Sequence, residues 1–309
     1  MQTLSVVIPV YNEEENIHEL YRRLKKVLTE DFSSFNYQIL FVDDGSSDRT
    51  FQFISELRKN DQNIKIVQFS RNFGHHLAIT AGLDHAEGDL IVTMDGDLQD
   101  QPEEMIKLYE KLQQDCDVVY GERQNKKFPF FKRACSKLFL TIIKLLVGED
   151  IVINSHIFRI MTRQVVDQVK LCRETNRYVV GLIGWVGFKH DSIPVEHGRR
   201  FKGETKYSFS KLVRLALDAI FTFSDYPLKL IIRMGFFLVL FSFFCGSYFI
   251  FDYMFFGIKV PGWGSLIVSV LFMGGMQVFM IGLMGEYMGR MYMEVKKRPL
   301  YIVRRIVSK

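Results

Sequence analysis

The chain has 309 residues, enough for a full domain and a further segment, with a mild formal charge of +5 and 48% hydrophobic residues. No nucleic-acid partner is expected. The four cysteines (Cys116, Cys135, Cys172, Cys245) are scattered without a CxxC pair, which excludes a zinc knuckle and a disulfide scaffold and fits a reducing compartment. The start, MQTLSVVIPVYNEEEN, turns acidic at once and is not a signal peptide.

In chain order, residues 1–123 alternate between β-rich runs and segments of helical period. The predicted strands are Ser5–Val10, Gln38–Val42, Ile64–Phe69, Leu90–Met94 and Val118–Tyr120. The predicted helices are Glu14–Leu28, Asp48–Lys59, His76–His85 and Pro102–Gln113. Fully apolar strands alternating with helices predict a parallel, doubly wound α/β sheet. Ligands bind such sheets at the carboxyl ends of the strands. Polar clusters sit at those ends: PVYNEE, DDGSSD, SRNFGHH, DGDLQD and GER. Five such clusters predict one site rather than five unrelated turns.

Residues 124–148 change character, with six Lys or Arg and no acid. On a helix, Arg133, Lys137 and Lys144 share a stripe, as in a basic amphipathic helix at a membrane interface; a core helix with a solvated basic edge is the alternative. Residues 207–229 form a second candidate. Met234–Phe251 and Val260–Gly285 then run without a charged residue. Each is long enough for a transmembrane helix. The tail from residue 290 holds seven Lys or Arg against one Glu, which predicts a cytoplasmic tail and, with a two-span hairpin, a cytoplasmic N-terminal domain. The expected partition is a nucleotide- and metal-binding core at 1–123, an acceptor-side segment at 124–229, two spans at 230–289 and a basic tail at 290–309.

The run DGDLQ carries the chemistry. Asp95 and Asp97 flank a glycine, so both carboxylates can converge on one cation, and Gln99 adds a neutral oxygen. Such ligands suit Mg²⁺ or Mn²⁺ completed by substrate phosphates. Asp and Gly also end strands and start turns, so the run alone does not decide.

Its company does. VVIPVYNEEENI, ILFVDDGSSDRT, SRNFGHHLAITAGLDHAEGD and VTMDGDLQDQPEEM, in this order, resemble the family 2 glycosyltransferases of the GT-A fold. Downstream, ETNRYVVGLIGWVGF, GETKYSFSKLVRLALDAIFTFSDYPL and GEYMGRMYMEVKKRPLYIV narrow the resemblance to the polyprenyl-phosphate glycosyltransferases. Among these it closely resembles the bactoprenol glucosyltransferases and is more distantly similar to the dolichol-phosphate mannose synthases. The resemblance implies a Rossmann-like nucleotide-sugar domain, basic interface helices and a C-terminal transmembrane hairpin in the inner membrane, multi-pass, with both termini cytoplasmic. It implies that Pro9, Tyr11 and Glu13, with Asp43 or Asp44, hold the nucleotide. Asp95, Asp97 and Gln99 would surround the metal, with Asp95 also touching the donor. Arg123, Arg200 and Lys206 would serve phosphate groups. Asp95, Asp97 and Arg123 are the expected catalytic residues.

One segment departs from the family pattern. Many relatives carry an Asp before a Phe-Arg pair; here NSHIFRIM puts Ile157 in that place, with Asn154 and His156 as the nearest polar neighbours. This leaves the donor sugar open: glucose from UDP-glucose, or mannose, an N-acetylhexosamine or aminoarabinose.

The implied partners are a nucleotide diphospho-sugar, undecaprenyl or another polyprenyl phosphate, a lipid bilayer and, as a further option, a second copy of the chain. A phosphate monoester with a second pKa near ~6 is largely dianionic at neutral pH, so it needs positioning rather than a general base. Direct attack predicts inversion, and His75 and His76 are expected to line the pocket or cap a helix. A processive synthase would need more spans and a Gln-x-x-Arg-Trp motif. A dehydrogenase would need GxGxxG after the first strand. A non-catalytic nucleotide-sugar-binding membrane subunit is the remaining alternative.

Overall fold

The computed structural model describes residues 1–123, 157–175, 177–196, 198, 226–256 and 262–308. The chain divides into two units, Met1–Val213 with Pro299–Lys309, and Arg214–Arg298.

The first unit is built on strands β1 (Thr3–Val10), β2 (Asn36–Asp43), β3 (Ile64–Phe69), β4 (Leu90–Thr93), β5 (Val118–Arg123), β6 (Arg159–Thr162), β7 (His190–Val195) and β8 (Val303–Val307). They form one sheet in the order β7-β5-β6-β4-β1-β2-β3-β8. Helices α1 (Ile17–Glu30), α2 (Thr50–Asn60), α3 (His75–His85), α4 (Met105–Leu112), α5 (Arg163–Leu171) and α6 (Val179–Trp185) accompany it, with a 3₁₀ turn at Pro102–Glu104. In α1, Ile17, Leu20, Leu24, Val27 and Leu28 are buried, a stripe of helical period laid on the sheet. Residues of β1 alternate between two apolar clusters. Val6, Ile8 and Val10 belong to the one that α1 covers, and Val7 to the one that holds Ala78, Ile79 and Ala81 of α3. Layers on both faces explain why the strands are apolar throughout.

This is the Rossmann-like α/β core expected of a GT-A domain, but the sheet is mixed. β4, β1, β2 and β3 are parallel. β6 inserts antiparallel between β4 and β5, and β8 pairs antiparallel with β3. The chain end, expected as a basic tail, therefore supplies an edge strand.

The register positions the site. β1 pairs with β2 as far as Val10↔Asp43, but with β4 only as far as Val7↔Thr93. The strand order also reverses there, since β2 and β3 follow on one side of β1 and β4 lies on the other. A crevice at the carboxyl end of such a switch point is where doubly wound sheets bind ligands. Pro9, which has no N–H to give a ladder, falls in the stretch of β1 past the end of β4.

The second unit contains α7 (Tyr226–Phe256) and α8 (Trp263–Val295). Large apolar side chains stay exposed on both, among them Phe236, Phe241, Phe244, Phe272 and Phe279. The expected transmembrane pair requires correction. Among the described residues no helix is long and apolar enough to cross a membrane. Absence of charge over ~20 residues makes a segment only a candidate span. Ser247 in α7, and Ser269, Gly274, Gly275 and Gln277 in α8, stand among the aromatic and aliphatic residues. The multi-pass placement in the inner membrane, with both termini cytoplasmic, does not stand. The basic stretch 124–148 lies outside the described residues, as does 207–229 except for its end, which opens α7.

The α3–sheet contact is close enough to exclude a side chain at Gly82. A Cβ there would run into the Val7 side chain and meet Val42 Cγ2 at 3.4 Å. Gly82→Val is expected to destabilise the fold by about 1–3 kcal/mol through overpacking, read as a lower midpoint in thermal unfolding.

Candidate active site

Two loops close one side of the crevice. Asn12, in a left-handed conformation (φ 53°) that Asn tolerates, donates its N–H to Ser46 Oγ at 3.0 Å and accepts the Ser47 N–H on Oδ1 at 2.9 Å. Glu13 N–H donates to Thr50 Oγ1 at 2.8 Å, and the Glu13 carboxylate accepts the Asn16 amide at 2.6 Å. The connections after β1 and β2 are thus sewn together, and Tyr11 stands exposed beside them.

Asp43 and Asp44 are both buried. Asp43 accepts Ser46 N–H at 2.9 Å and the Gln68 amide at 3.0 Å. Asp44 accepts the N–H groups of Phe73 (2.7 Å) and Gly74 (2.9 Å) with its two oxygens. Its pKa is nevertheless raised, because burial outweighs those two bonds. These carboxylates set the shape of the β2 and β3 connections, a role the sequence did not single out.

The DGDLQ run occupies the other side. Asp95, Asp97 and Gln99 are partly exposed, whereas Gly96, Leu98 and Asp100 between them are buried. The three expected metal ligands therefore share the open face. Gly96 is required by proximity: a Cβ there would lie 2.9 Å from Val10 Cγ1 and 3.3 Å from the Pro9 carbonyl oxygen. That close approach brings the run over the end of β1. The turn is held by Asp95 N–H donating to Asp100 Oδ2 (3.3 Å) and Gln99 N–H to Asp97 Oδ1 (3.1 Å).

His75 opens α3 and puts its Nε2 3.5 Å from Asp95 Oδ1. Burial lowers its pKa, against the pull of Asp44, Asp97 and Asp100, so its ring is neutral at neutral pH. Those charges make the crevice acidic, the complement of a cation. The sequence marked the two histidines only as lining or capping, and the one signal for this role was their place at a strand end.

β6 forms the floor. Arg159 is buried, its guanidinium 4.9 Å from the Tyr120 ring centre and its Nε donating to the Ile157 carbonyl oxygen at 3.3 Å. The same oxygen accepts Thr93 Oγ1 at 2.5 Å. Ile157 is thus tied to the end of β4, and at this position the site has an aliphatic side chain packed against the core.

Of the expected phosphate-binding cations, Arg123 ends β5, opposite Val195 of β7. Arg200 and Lys206 lie outside the described residues. Just before them, Gly198 N–H donates to the Gln99 carbonyl oxygen at 2.9 Å, so the chain leaving β7 passes directly over the DGDLQ turn.

The donor set bears on the metal. Among the described residues no group of three or more His, Cys, Asp or Glu is arranged to hold one. Two carboxylates and an amide fit a hard cation that takes its other oxygens from water and substrate phosphate, the usual mode of Mg²⁺, but not a cation caged by protein alone. A cleft of ≈ 370 Å³ lies at the opposite end of the sheet, lined by Thr3, Tyr37, Gln38, Lys65 and Glu87 among others. Its lining does not include the acidic cluster, and the strand carboxyl ends have the stronger claim.

The model of the family described as glycosyl transferase family 2 matches residues 5–170. The glycosyltransferase YkcC of Bacillus subtilis is 43% identical over 308 residues, 97% of this chain and 93% of that one. A prophage bactoprenol glucosyl transferase homolog of Escherichia coli is 39% identical over 98% of this chain and 99% of its own. The bactoprenol glucosyl transferase of Shigella phage SfII is 38% identical over 98% and 97%. Among solved structures, residues 1–349 of S. aureus TarS with UDP-GlcNAc align over 73% of this chain and 68% of theirs, at 20% identity and a TM-score of 0.47.

His76, next to His75 and 5.1 Å from the Tyr178 ring, has its pKa lowered by burial from 6.5 to about 4. Between those values the unfolded chain binds a proton that the folded chain refuses, so stability falls as pH drops through this window. His76→Gln removes that linkage. Its melting temperature should fall less than that of the wild type between pH 6.5 and pH 4 in parallel thermal scans.

Proposed function

Since the chain belongs to glycosyl transferase family 2, we propose that it transfers a sugar from a nucleotide diphospho-sugar to a polyprenyl phosphate, with glucose from UDP-glucose and undecaprenyl phosphate as the pair. The observation that supports this best is the convergence of the Pro9–Glu13 connection and the open face of Asp95, Asp97 and Gln99 on one acidic crevice. The curated relatives named as bactoprenol glucosyl transferases, similar over nearly their whole length, support the acceptor and the sugar.

In this reading Pro9, Tyr11 and Glu13 receive the nucleotide, while Asp43 and Asp44 hold the surrounding loops in shape. Asp95, Asp97 and Gln99 would hold Mg²⁺ or Mn²⁺ together with the donor diphosphate. Such an ion, when bound, supplies Lewis-acid stabilisation of the departing nucleotide. His75 lies beside the Asp95 carboxylate, its Nε2 3.5 Å from Asp95 Oδ1, and lines the crevice. Arg123, Arg200 and Lys206 bring the acceptor phosphate in, offsetting its repulsion from the donor. A phosphate oxygen attacks the anomeric carbon as the bond to the nucleotide breaks, which inverts the configuration. The acceptor is already dianionic, so Ile157 in place of a carboxylate removes no base the reaction needs. The polyprenyl chain makes a lipid bilayer the partner surface.

Purified protein given undecaprenyl phosphate and a panel of nucleotide sugars should yield glucosyl-phosphoryl-undecaprenol from UDP-glucose, identified by mass spectrometry. Release of UDP with no change in the lipid would refute the acceptor. Asp97→Asn should lose transfer while keeping its melting temperature. EDTA should do the same to the wild type, with recovery on adding Mg²⁺ or Mn²⁺. Full activity in EDTA would remove the metal from the account. Lys206→Ala should lower efficiency toward the lipid by roughly ten- to a hundredfold, about 1.5–3 kcal/mol for a lost charge-assisted contact, with donor affinity by calorimetry unchanged.

A further inference from the structure

The segment at the chain end, Tyr301–Val303, makes three contacts with the β3–α3 unit, two at the start of its connection and one at the end of α3. The Tyr301 ring stacks on Phe69, the last residue of β3, with centroids 5.0 Å apart and planes at 19°. The Tyr301 hydroxyl donates to Asp84 Oδ2 at 2.7 Å in the last turn of α3, a carboxylate that Arg173 also grips at 2.8 and 2.9 Å. Between these contacts the Ile302 carbonyl oxygen accepts the Ser70 N–H at 3.0 Å. The segment thus holds the start of the connection that runs from Ser70 to Gly74, and ties it to the far end of α3.

That connection feeds the candidate donor site. Phe73 packs edge-on against Phe69 at 5.6 Å, and the N–H groups of Phe73 and Gly74 are the two bonds to the buried Asp44 carboxylate. The next residue is His75, beside Asp95. A physical chain therefore runs from the C-terminal segment, through the Phe69–Phe73 pair, to Asp44 and the DGDLQ turn.

We propose that Tyr301 is a positioning residue for the donor site: it holds the Ser70–Gly74 connection in the shape that keeps Asp44 and His75 in place at the donor crevice. This rests on the crevice being the donor site. The brace from Asp44 fixes the end of the connection at Phe73 and Gly74, whereas the ring stacked on Phe69 at its start comes from beyond α8. If the connection opens, only the closed fraction binds donor, and the apparent dissociation constant rises by the inverse of that fraction.

The test uses the full-length chain, with UDP-glucose as the probe, in wild type, Tyr301→Phe and Tyr301→Ala. Tyr301→Ala should raise the UDP-glucose Kd by roughly tenfold and the donor KM with it, leaving kcat near the wild-type value. Amide exchange at Ser70, Phe73 and Gly74 should quicken, while that of Val6–Ile8 in β1 stays slow. Tyr301→Phe keeps the stacked ring and loses only the bond to Asp84, so it should fall between the two. A Tyr301→Ala chain that melts earlier but keeps wild-type donor affinity and wild-type exchange at these three amides would overturn the proposal. Should Tyr301→Ala fail to fold, Tyr301→Phe with unchanged Kd and exchange would overturn it equally. A wild type that binds no UDP-glucose would refute that donor instead, and the exchange comparison alone would then decide whether Tyr301 braces the connection.

Discussion

Three residues of unequal pairing shape this molecule. β1 follows β2 to Val10↔Asp43 but leaves β4 at Val7↔Thr93. Beyond Thr93 the β4 chain has no ladder to continue, so it turns, and the polar run from Asp95 to Asp100 is what it turns with. Gly96 sets how closely that turn lies on the end of β1, because any side chain there would meet Val10 and Pro9. The acidic crevice is the space this register leaves.

The remaining elements stabilise its walls. The buried carboxylates of Asp43 and Asp44 are occupied by backbone and amide N–H groups, so their first task is to define the connections after β2 and β3. A carboxylate accepting N–H bonds in a buried setting costs desolvation, and the raised pKa of Asp44 records that cost. Such a site tolerates a cation well, and Asp95, Asp97 and Gln99 are left on its open face. In the proposed reading its chemistry is electrostatic, gathering charge of both signs without a dedicated base.

The parallel core was legible because its strands carry both turn signals and continuous apolar runs; Ile64–Phe69 was predicted to the residue, and the others to within a few. β6 was not. Its four residues, Arg159–Thr162, begin with a charge, and only the fold shows that the guanidinium is buried against Tyr120. β8 was hidden by its arginines: VRRIV is an edge strand whose Arg304 and Arg305 face solvent, so a composition count takes it for a basic tail. In the site, DGDLQ and the PVYNEE connection were visible as polar breaks after apolar runs. The closeness of His75 to Asp95 and of Tyr301 to Phe69 was not, since both depend on contacts across the fold. The apolar runs after residue 230 do form long helices, but charge-free length alone overstated them as spans.

The claim on which the rest depends is that the nucleotide sugar enters at the carboxyl ends of β1 and β4. Photo-crosslinking with a uridine-diphosphate sugar bearing an azido group on the base, followed by peptide mapping, tests it directly. The account predicts label in peptides carrying Pro9–Glu13 or Asp95–Gln99, competed away by unlabelled donor. Competed label in the cleft lined by Thr3, Tyr37, Gln38 and Lys65, at the opposite end of the sheet, would contradict it.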